Sequence, residues 1–253
     1  MPKQRVVVLS GAGISAESGL GTFRGLEGLW DTGEPNADGD GGTRTVRVED
    51  VATPSAWEAD PAQVLRFYNE RRAQVRTAQP NVAHRALATL EQGFEVDTIT
   101  QNIDDLHERA GSSRVLHLHG EIMIARSTAD PECLLQLGEQ DIHVGDICPE
   151  GSQLRPHVVW FGEDVPAMSV AAELVMQADI LLCVGTSLQV YPAASLVFLA
   201  PDEVRRIVVD PNIPESITRT AFECMAKPAT EGVPQIVHEL LRDAGMKSEE
   251  NKG

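Results

Sequence analysis

Lysine is nearly missing from this chain: it occurs only at Lys3, Lys227, Lys247 and Lys252, while arginine is common and the formal net charge is -17. Such an acidic balance opposes nonspecific binding to nucleic acid or to an anionic membrane surface. It points instead to a soluble protein, and the lysine-poor, acid-rich surface to a high-salt cytoplasm. No stretch approaches the roughly 18 consecutive apolar residues of a membrane span. Met1 leads within a few residues into a strand pattern rather than an export segment, so a cytoplasmic location is expected. Cysteine is scarce as well, with Cys133, Cys148, Cys183 and Cys224 and no C-x-x-C pair. A cytoplasmic disulfide framework is therefore not expected.

What is present is organised around residues 6–20, where an apolar β-branched run ends in closely spaced glycines and a helical pattern follows. This reads as strand, turn and helix. Gly11 and Gly13 allow positive φ and close approach of a pyrophosphate, small Ala16 allows the helix to pack on the strand, and the helix N-terminus offers N–H groups to an anion. The same G-x-G-x-x-A spacing also serves as a plain turn between strand and helix. An ordinary dehydrogenase would place an acidic residue at the end of a second strand roughly 20 residues further on. Here that region holds Thr22, Phe23 and Arg24 and then residues 31–50, rich in Gly, Asp, Asn and Thr, which read as an irregular mobile loop or insertion.

Further along, Asp60 and Pro61 open a helix as N-cap and first helical residue, and Asn81 opens another. Strands are expected at 96–100, 115–118, 180–184 and 207–209, helices at 168–177, 193–200 and 232–244. Residues 157–161 read as extended and apolar, and 122–153 as an irregular excursion. Strands alternating with helices imply an α/β fold with a doubly wound parallel sheet. Polar residues gather at the strand ends: Gly11 to Arg24, Gln101 to Asp104, His119, Gly185 to Ser187 and Asp210 to Asn212. On such a sheet those ends share one edge and can form one site.

Taken together and in order, Gly11-Ala12-Gly13-Ile14-Ser15, Thr22-Phe23-Arg24, Thr100-Gln101-Asn102-Ile103-Asp104, His119-Gly120-Glu121, Val159-Trp160-Phe161-Gly162-Glu163 and Gly185-Thr186-Ser187 resemble the sirtuins, NAD-dependent protein lysine deacylases. The resemblance covers roughly residues 5–240. It implies one catalytic domain over 1–245, with a Rossmann-like part near 1–30, 79–120 and 156–245, a small module near 31–78 and 121–155, and a disordered tail at 246–253. It also implies that NAD is consumed rather than used for hydride transfer and that acylated lysine in proteins is the substrate; a monomer is expected, though the sequence does not determine oligomeric state. Mono-ADP-ribosyl transfer, or NAD and ADP-ribose binding without turnover, stay open as alternatives.

By the same resemblance His119 is the general base toward a ribose hydroxyl, a task suited to a group titrating near neutrality. Asn102 and Asp104 orient the nicotinamide ribose, a water and the carboxamide, and Gln101 and Ile103 line that pocket. Phe23 and Arg24 belong to a loop closing over the cofactor, Thr186 and Ser187 offer hydroxyls, and Asn212 contacts the adenosine ribose. Gly11, Ala12, Gly13, Ser15, Glu17, Thr22, Trp30, Gly185 and Ala229 complete the expected cofactor set. Val159, Phe161, Gly162 and Glu163 are expected against substrate.

Tyr68 and Arg71, three apart on a helix, share a face. They match the pair by which a bacterial and mitochondrial branch of the family binds the distal carboxylate of succinyl- or malonyl-lysine, with Ala56 widening the acyl pocket. A guanidinium fork and a phenol suit a carboxylate. The departure is the metal module: sirtuins usually hold zinc on two close cysteine pairs, whereas Ser127 stands near the first position and Cys133 and Cys148 are isolated. Zinc is therefore expected to be absent.

Overall fold

The computed structural model describes residues 3–21, 23–24, 29–35, 43–213, 217 and 221–245, with backbone alone described up to residue 45 in the second, third and start of the fourth of these spans. The expected tail at 246–253, and Thr22, lie outside the described residues.

Six strands form one parallel sheet: β1 (Arg5–Ser10), β5 (Glu95–Thr100), β6 (Val115–His117), β10 (Ile180–Val184), β11 (Arg205–Val209) and β12 (Glu223–Met225), in the order β12-β11-β10-β1-β5-β6. The β-branched runs at its centre are buried on both faces, as a parallel sheet flanked by helices requires. Alternation sends Val6, Val8, Leu182, Val184, Ile207 and Val209 to one face, against helices α5 (Val82–Leu90) and α8 (Ala229–Asp243). Val7, Leu9, Leu181, Cys183 and Val208 go to the other, against α7 (Met168–Met176) and a 3-10 helix at Ala193–Phe198. The expectation of a doubly wound α/β sheet is met, with the strands within a residue or two of their expected places.

The helix caps follow the sequence logic. The Asp60 carboxylate accepts from the Gln63 N–H at 2.9 Å at the start of α4 (Pro61–Thr77), and Asn81 Oδ1 accepts from Ala83 N–H at 2.9 Å at the start of α5. Two short helices, α2 (Val48–Val51) and α3 (Pro54–Ala59), precede α4. Together with α4 they bury Val51, Ala56, Val64 and Tyr68 in a third cluster beside the sheet.

Two stretches depart from expectation. Residues 31–50, read as irregular, contain the end of β3 (Leu29–Pro35), β4 (Thr43–Arg47) and part of α2; β3 pairs antiparallel with β4 and with β2 (Phe23–Arg24). Backbone pairing across this hairpin gives order that Gly, Asp and Thr content alone does not announce. Residues 122–153, read as irregular, carry β7 (Gly120–Ser127) and β8 (Leu134–Gln136), which with β9 (Leu154–Val158) make an antiparallel sheet in the order β8-β7-β9. The register shifts between Glu121 and Ala125, so the alternating pattern breaks midway and its period is lost from the sequence. The buried Arg72 of α4 ties this sheet in, donating from Nε to the Ile122 carbonyl at 2.8 Å and from its terminal nitrogen to Asn69 Oδ1 at 2.6 Å.

Candidate active site

The ends of β1 and β10 are neighbours, Ser10 pairing with Val184, and the turns that leave them interlock. Gly11 N–H donates to the Val184 carbonyl at 3.0 Å, and Gly13 N–H to the Gly185 carbonyl at 2.8 Å. A Cβ on Gly13 would lie 2.7 Å from the Gly185 Cα; one on Gly185, at φ +59, would run into the Ile14 nitrogen. The expectation for these glycines needs correcting. Among the described residues neither Gly11 nor Gly13 has positive φ, and Gly11 is extended at φ -130 and ψ -173. Their missing side chains make room for the second turn, and the helix that follows, α1 (Ala12–Ala16), is a single turn of five residues.

Above this crossing lies a cavity of about 610 Å3. From the first turn it is lined by Gly11, Ala12, Gly13, Ser15 and Glu17, and from the end of β5 by Gln101, Asn102, Ile103 and Asp104. Gly185, Thr186 and Ser187 follow β10, while Asn212 and Ala229 close the far end. His119, Tyr68, Arg71, Val159, Phe161, Gly162 and Glu163 form the opposite wall. The sheet edge thus brings these together across the chain. Ala56 is not among the lining residues: it is buried beneath, and Ala52, one helix earlier, faces the cavity instead. Phe23, Arg24 and Trp30 lie in the hairpin, where Phe23 pairs with Trp30, but their side chains fall outside what is described, as does Thr22. Asp210, expected among the polar strand ends, lines the cavity, and so do Trp160 and Tyr191, to which no role was assigned. For Trp160 the signal was its place inside a motif whose neighbours were chosen.

Ser15 is the hub of the cavity floor. Its Oγ accepts from Asn102 Nδ2 at 3.0 Å and donates to Asp104 Oδ2 at 3.0 Å, and all three residues are buried. Behind it, Asn81 N–H donates to His84 Nδ1 at 3.3 Å, which puts the ring proton on Nε2, facing Ser15 Oγ at 3.5 Å. Burial holds the His84 pKa down at about 4, helped by Arg85, and that of its ring neighbour His107 at about 3. Burial also raises the Asp104 pKa, opposed by the Leu106 N–H and the Ser15 hydroxyl.

His119, half-buried, has Nδ1 3.0 Å from the Gln101 carbonyl oxygen. A carbonyl only accepts, so Nδ1 carries the proton and Nε2 keeps its lone pair. Burial lowers the pKa of His119, against the pull of that carbonyl, so the ring is neutral at neutral pH. Thr186 Oγ1 accepts from Gln101 Nε2 at 3.0 Å and from Leu188 N–H at 3.3 Å, leaving its own proton to donate. Glu17 accepts from the Thr230 hydroxyl at 2.6 Å and its N–H at 3.1 Å, pinning the start of α8.

On the opposite wall, Glu163 accepts from Arg155 at 2.7 and 3.1 Å and from the Trp160 N–H at 2.8 Å, while Arg155 stacks 3.2 Å over the Trp160 ring. Burial would raise the Glu163 pKa, but Arg155 and Arg126 hold it below the usual carboxylate value. Tyr68 is fully buried; burial raises its pKa, opposed by the Trp160 side chain beside its hydroxyl. Arg71, 8% exposed, donates to the Gly21 carbonyl and more weakly to Gln74.

The zinc question turns on donors. Cys148 Sγ lies 3.4 Å from Ser127 Oγ, and Cys133 is its thiol neighbour. Cys183 is in β10 and Cys224 in β12, both strands of the six-stranded parallel sheet. Two thiols and a hydroxyl do not make a tetrahedral thiolate set, and among the described residues no three His, Cys, Asp or Glu gather as metal ligands. The residues present do not fit a structural zinc.

Comparison with known proteins agrees with this architecture. The model of the Sir2 family matches residues 11–192. The NAD-dependent protein deacylase of Helicobacter pylori is 45% identical over 241 residues, covering 95% of this chain and 99% of that protein. The enzyme of the same name from Aggregatibacter actinomycetemcomitans is 51% identical over 207 residues, covering 81% and 92%. Among solved structures, a Sir2 homologue in complex with NAD superposes with a TM-score of 0.80 at 35% identity, covering 96% and 91% of the two chains. A complex of Sir2 with a p53 peptide and NAD+ gives 0.72 at 28% identity, covering 96% and 94%.

Proposed function

The chain belongs to the Sir2 family, and from that premise we propose that it is an NAD-dependent protein lysine deacylase. The observation that carries this reading is His119: a neutral imidazole anchored through Nδ1–H, with the Nε2 lone pair available in the same cavity as the Ser15-Asn102-Asp104 network. When bound, NAD supplies an anomeric carbon that nicotinamide leaves and the acyl oxygen attacks.

The residues' own roles follow from their chemistry. His119 Nε2 takes a proton from a sugar hydroxyl, and the hydrogen bond from Nδ1–H to the Gln101 carbonyl holds the ring in the correct tautomer for that task. Ser15 fixes the Asn102 amide and the Asp104 carboxylate in one orientation, so neither must reorganise as substrate enters. The Thr186 hydroxyl, the Ser187 hydroxyl and the Asn212 amide would hold ribose and phosphate oxygens. Around them Val159, Phe161 and Trp160 exclude water.

For acyl choice we propose succinyl- or malonyl-lysine over acetyl-lysine. Supporting this, the buried Tyr68 hydroxyl shares the cavity wall with the Arg71 guanidinium, and the Trp160 indole beside it can only donate, which leaves the phenol proton for an acceptor. A distal carboxylate would accept from both. Zinc is proposed to be absent from the small sheet, on the donor set around Ser127, Cys133 and Cys148.

The test is nicotinamide release from NAD in the presence of matched acetyl- and succinyl-lysine peptides. Release that depends on acyl-lysine, and is abolished in His119→Ala while NAD binding persists, is the expected result. Release without any acyl-lysine requirement would overturn it.

A further inference from the structure

Two residues before His119, at the end of β6, stands a second histidine that the proposed reaction leaves unused. His117 Nδ1 lies 3.0 Å from the Asn102 carbonyl oxygen, and its Nε2 lies 2.8 Å from Glu108 Oε1. The carbonyl is an acceptor only, so Nδ1 carries a proton. At Nε2 the proton belongs either to the imidazole or to the carboxyl. The imidazole, its side chain 8% exposed, already donates from Nδ1 and meets a second oxygen at Nε2, an arrangement complete only when both ring nitrogens carry protons. The proton therefore sits on Nε2 as well. Two acceptors flank the ring, and the ring is an imidazolium.

The contrast with His119 is informative. Successive carbonyls, of Gln101 and Asn102, are each held by an imidazole Nδ1–H. The one that needs a free lone pair has a single acceptor; the other has two. The Asn102 carbonyl that His117 grips belongs to the residue whose side chain donates to Ser15.

We propose that His117 is a cationic positioning residue: as an imidazolium braced by Glu108 it clamps the backbone at Asn102 and so sets the Asn102 amide. The surrounding groups agree. Burial alone would lower the His117 pKa, but Glu108 on α6 (Leu106–Ala110), the Asn102 carbonyl and Glu121 on β7 together raise it above the ordinary histidine value. His107 on α6 and His157 on β9 also interact with it; burial first, then His84 for His107 and Arg126 and Arg155 for His157, with His117 last, lower both pKa values, so they are neutral and do not compete for the charge. Asp104, whose pKa burial raises, is pulled back in part by His117.

The consequence is a dependence on alkalinity. When pH rises through the His117 pKa, Nε2 loses its proton and presents a lone pair to the Glu108 carboxylate. The two repel, the ring leaves its place and the clamp on Asn102 loosens. The clamp is a charge-assisted contact, so its loss should lower turnover severalfold, to about tenfold.

The activity part of the test rests on the deacylase reading; the spectroscopic part does not. Imidazole resonances of the NAD-free protein should show His117 titrating above the ordinary histidine value of about 6.5, with the Asn102 side-chain amide resonances moving at the same midpoint. In Glu108→Gln, which keeps the shape and removes the charge, both midpoints should fall by at least about one pH unit. The alkaline fall in kcat/KM should move down with them. In His117→Gln, whose amide can still donate to the Asn102 carbonyl, that alkaline fall should disappear while the acid limb stays. A His117 midpoint at or below the ordinary value, Asn102 resonances that ignore it, or an alkaline limb unmoved in both variants would overturn the proposal. Wild-type protein inactive on acyl-lysine peptides would count against the functional reading instead, and the Asn102 and His117 resonances would still decide this one.

Discussion

Replacing Arg71 with methionine tests acyl recognition and fold support in one experiment, because the side chain has a stake in both. The residue is 8% exposed, and its guanidinium donates to the Gly21 carbonyl, a charged hydrogen bond of about 1.5–3 kcal/mol. Methionine fills similar space without donors, so the variant should lose part of that energy, with Tm lower by several degrees at about 2–4 °C per kcal/mol for a chain of this size. Assayed well below that Tm, kcat/KM on a succinyl-lysine peptide should fall at least about tenfold, since that requires only about 1.4 kcal/mol of lost transition-state stabilisation. Acetyl-lysine has no distal charge to lose a partner, and its kcat/KM should change much less. Arg71→Lys keeps the charge but not the fork and should fall between the two. Equal losses on both peptides would show that Arg71 serves the Gly21 contact rather than the acyl group.

Other outcomes follow from the same geometry. Because burial lowers the pKa of His119, its base form should persist below the ordinary histidine range, placing the acid limb of kcat/KM under about pH 6.5; a limb at or above that value would contradict the assignment. Metal analysis of purified protein should find no stoichiometric zinc, and chelator should leave the unfolding midpoint unchanged; one zinc per chain would show that the donors around Cys133 and Cys148 were misread. Stability should also fall on mild acidification. His84, His107, His119 and His157 have folded pKa values below the unfolded one, so the stability they confer is complete above about pH 6.5 and lost as pH falls toward the folded values; His117, raised, acts the opposite way. Asp104, raised by burial, also acts the opposite way, and between pH 7.5 and 5.5 the balance should be a loss of about 1–3 kcal/mol. A urea midpoint that holds or rises over that range would refute it.

The sequence by itself determined the parallel sheet, because strands buried on both faces must be written as unbroken β-branched runs, and Val6 to Leu9 and Ile180 to Val184 are such runs. It determined the helix starts, since Asp60 and Asn81 act on N–H groups only two or three residues away. It also marked the polar strand ends, and the cavity gathers most of them. Tertiary structure alone decided why the glycines are there: Gly11 and Gly13 yield space to Gly185, a partner 174 and 172 positions further along, and no local pattern records such a contact. It decided that Ala52 rather than Ala56 faces the cavity, because helix packing, not spacing, sets which small residue is covered. It gave order to residues 122–153, whose broken register erases the period that would have announced a sheet. The charge of His117 is of the same kind: an imidazole takes its protonation from the acceptors around it, and Glu108 and the Asn102 carbonyl meet there only once the chain has folded.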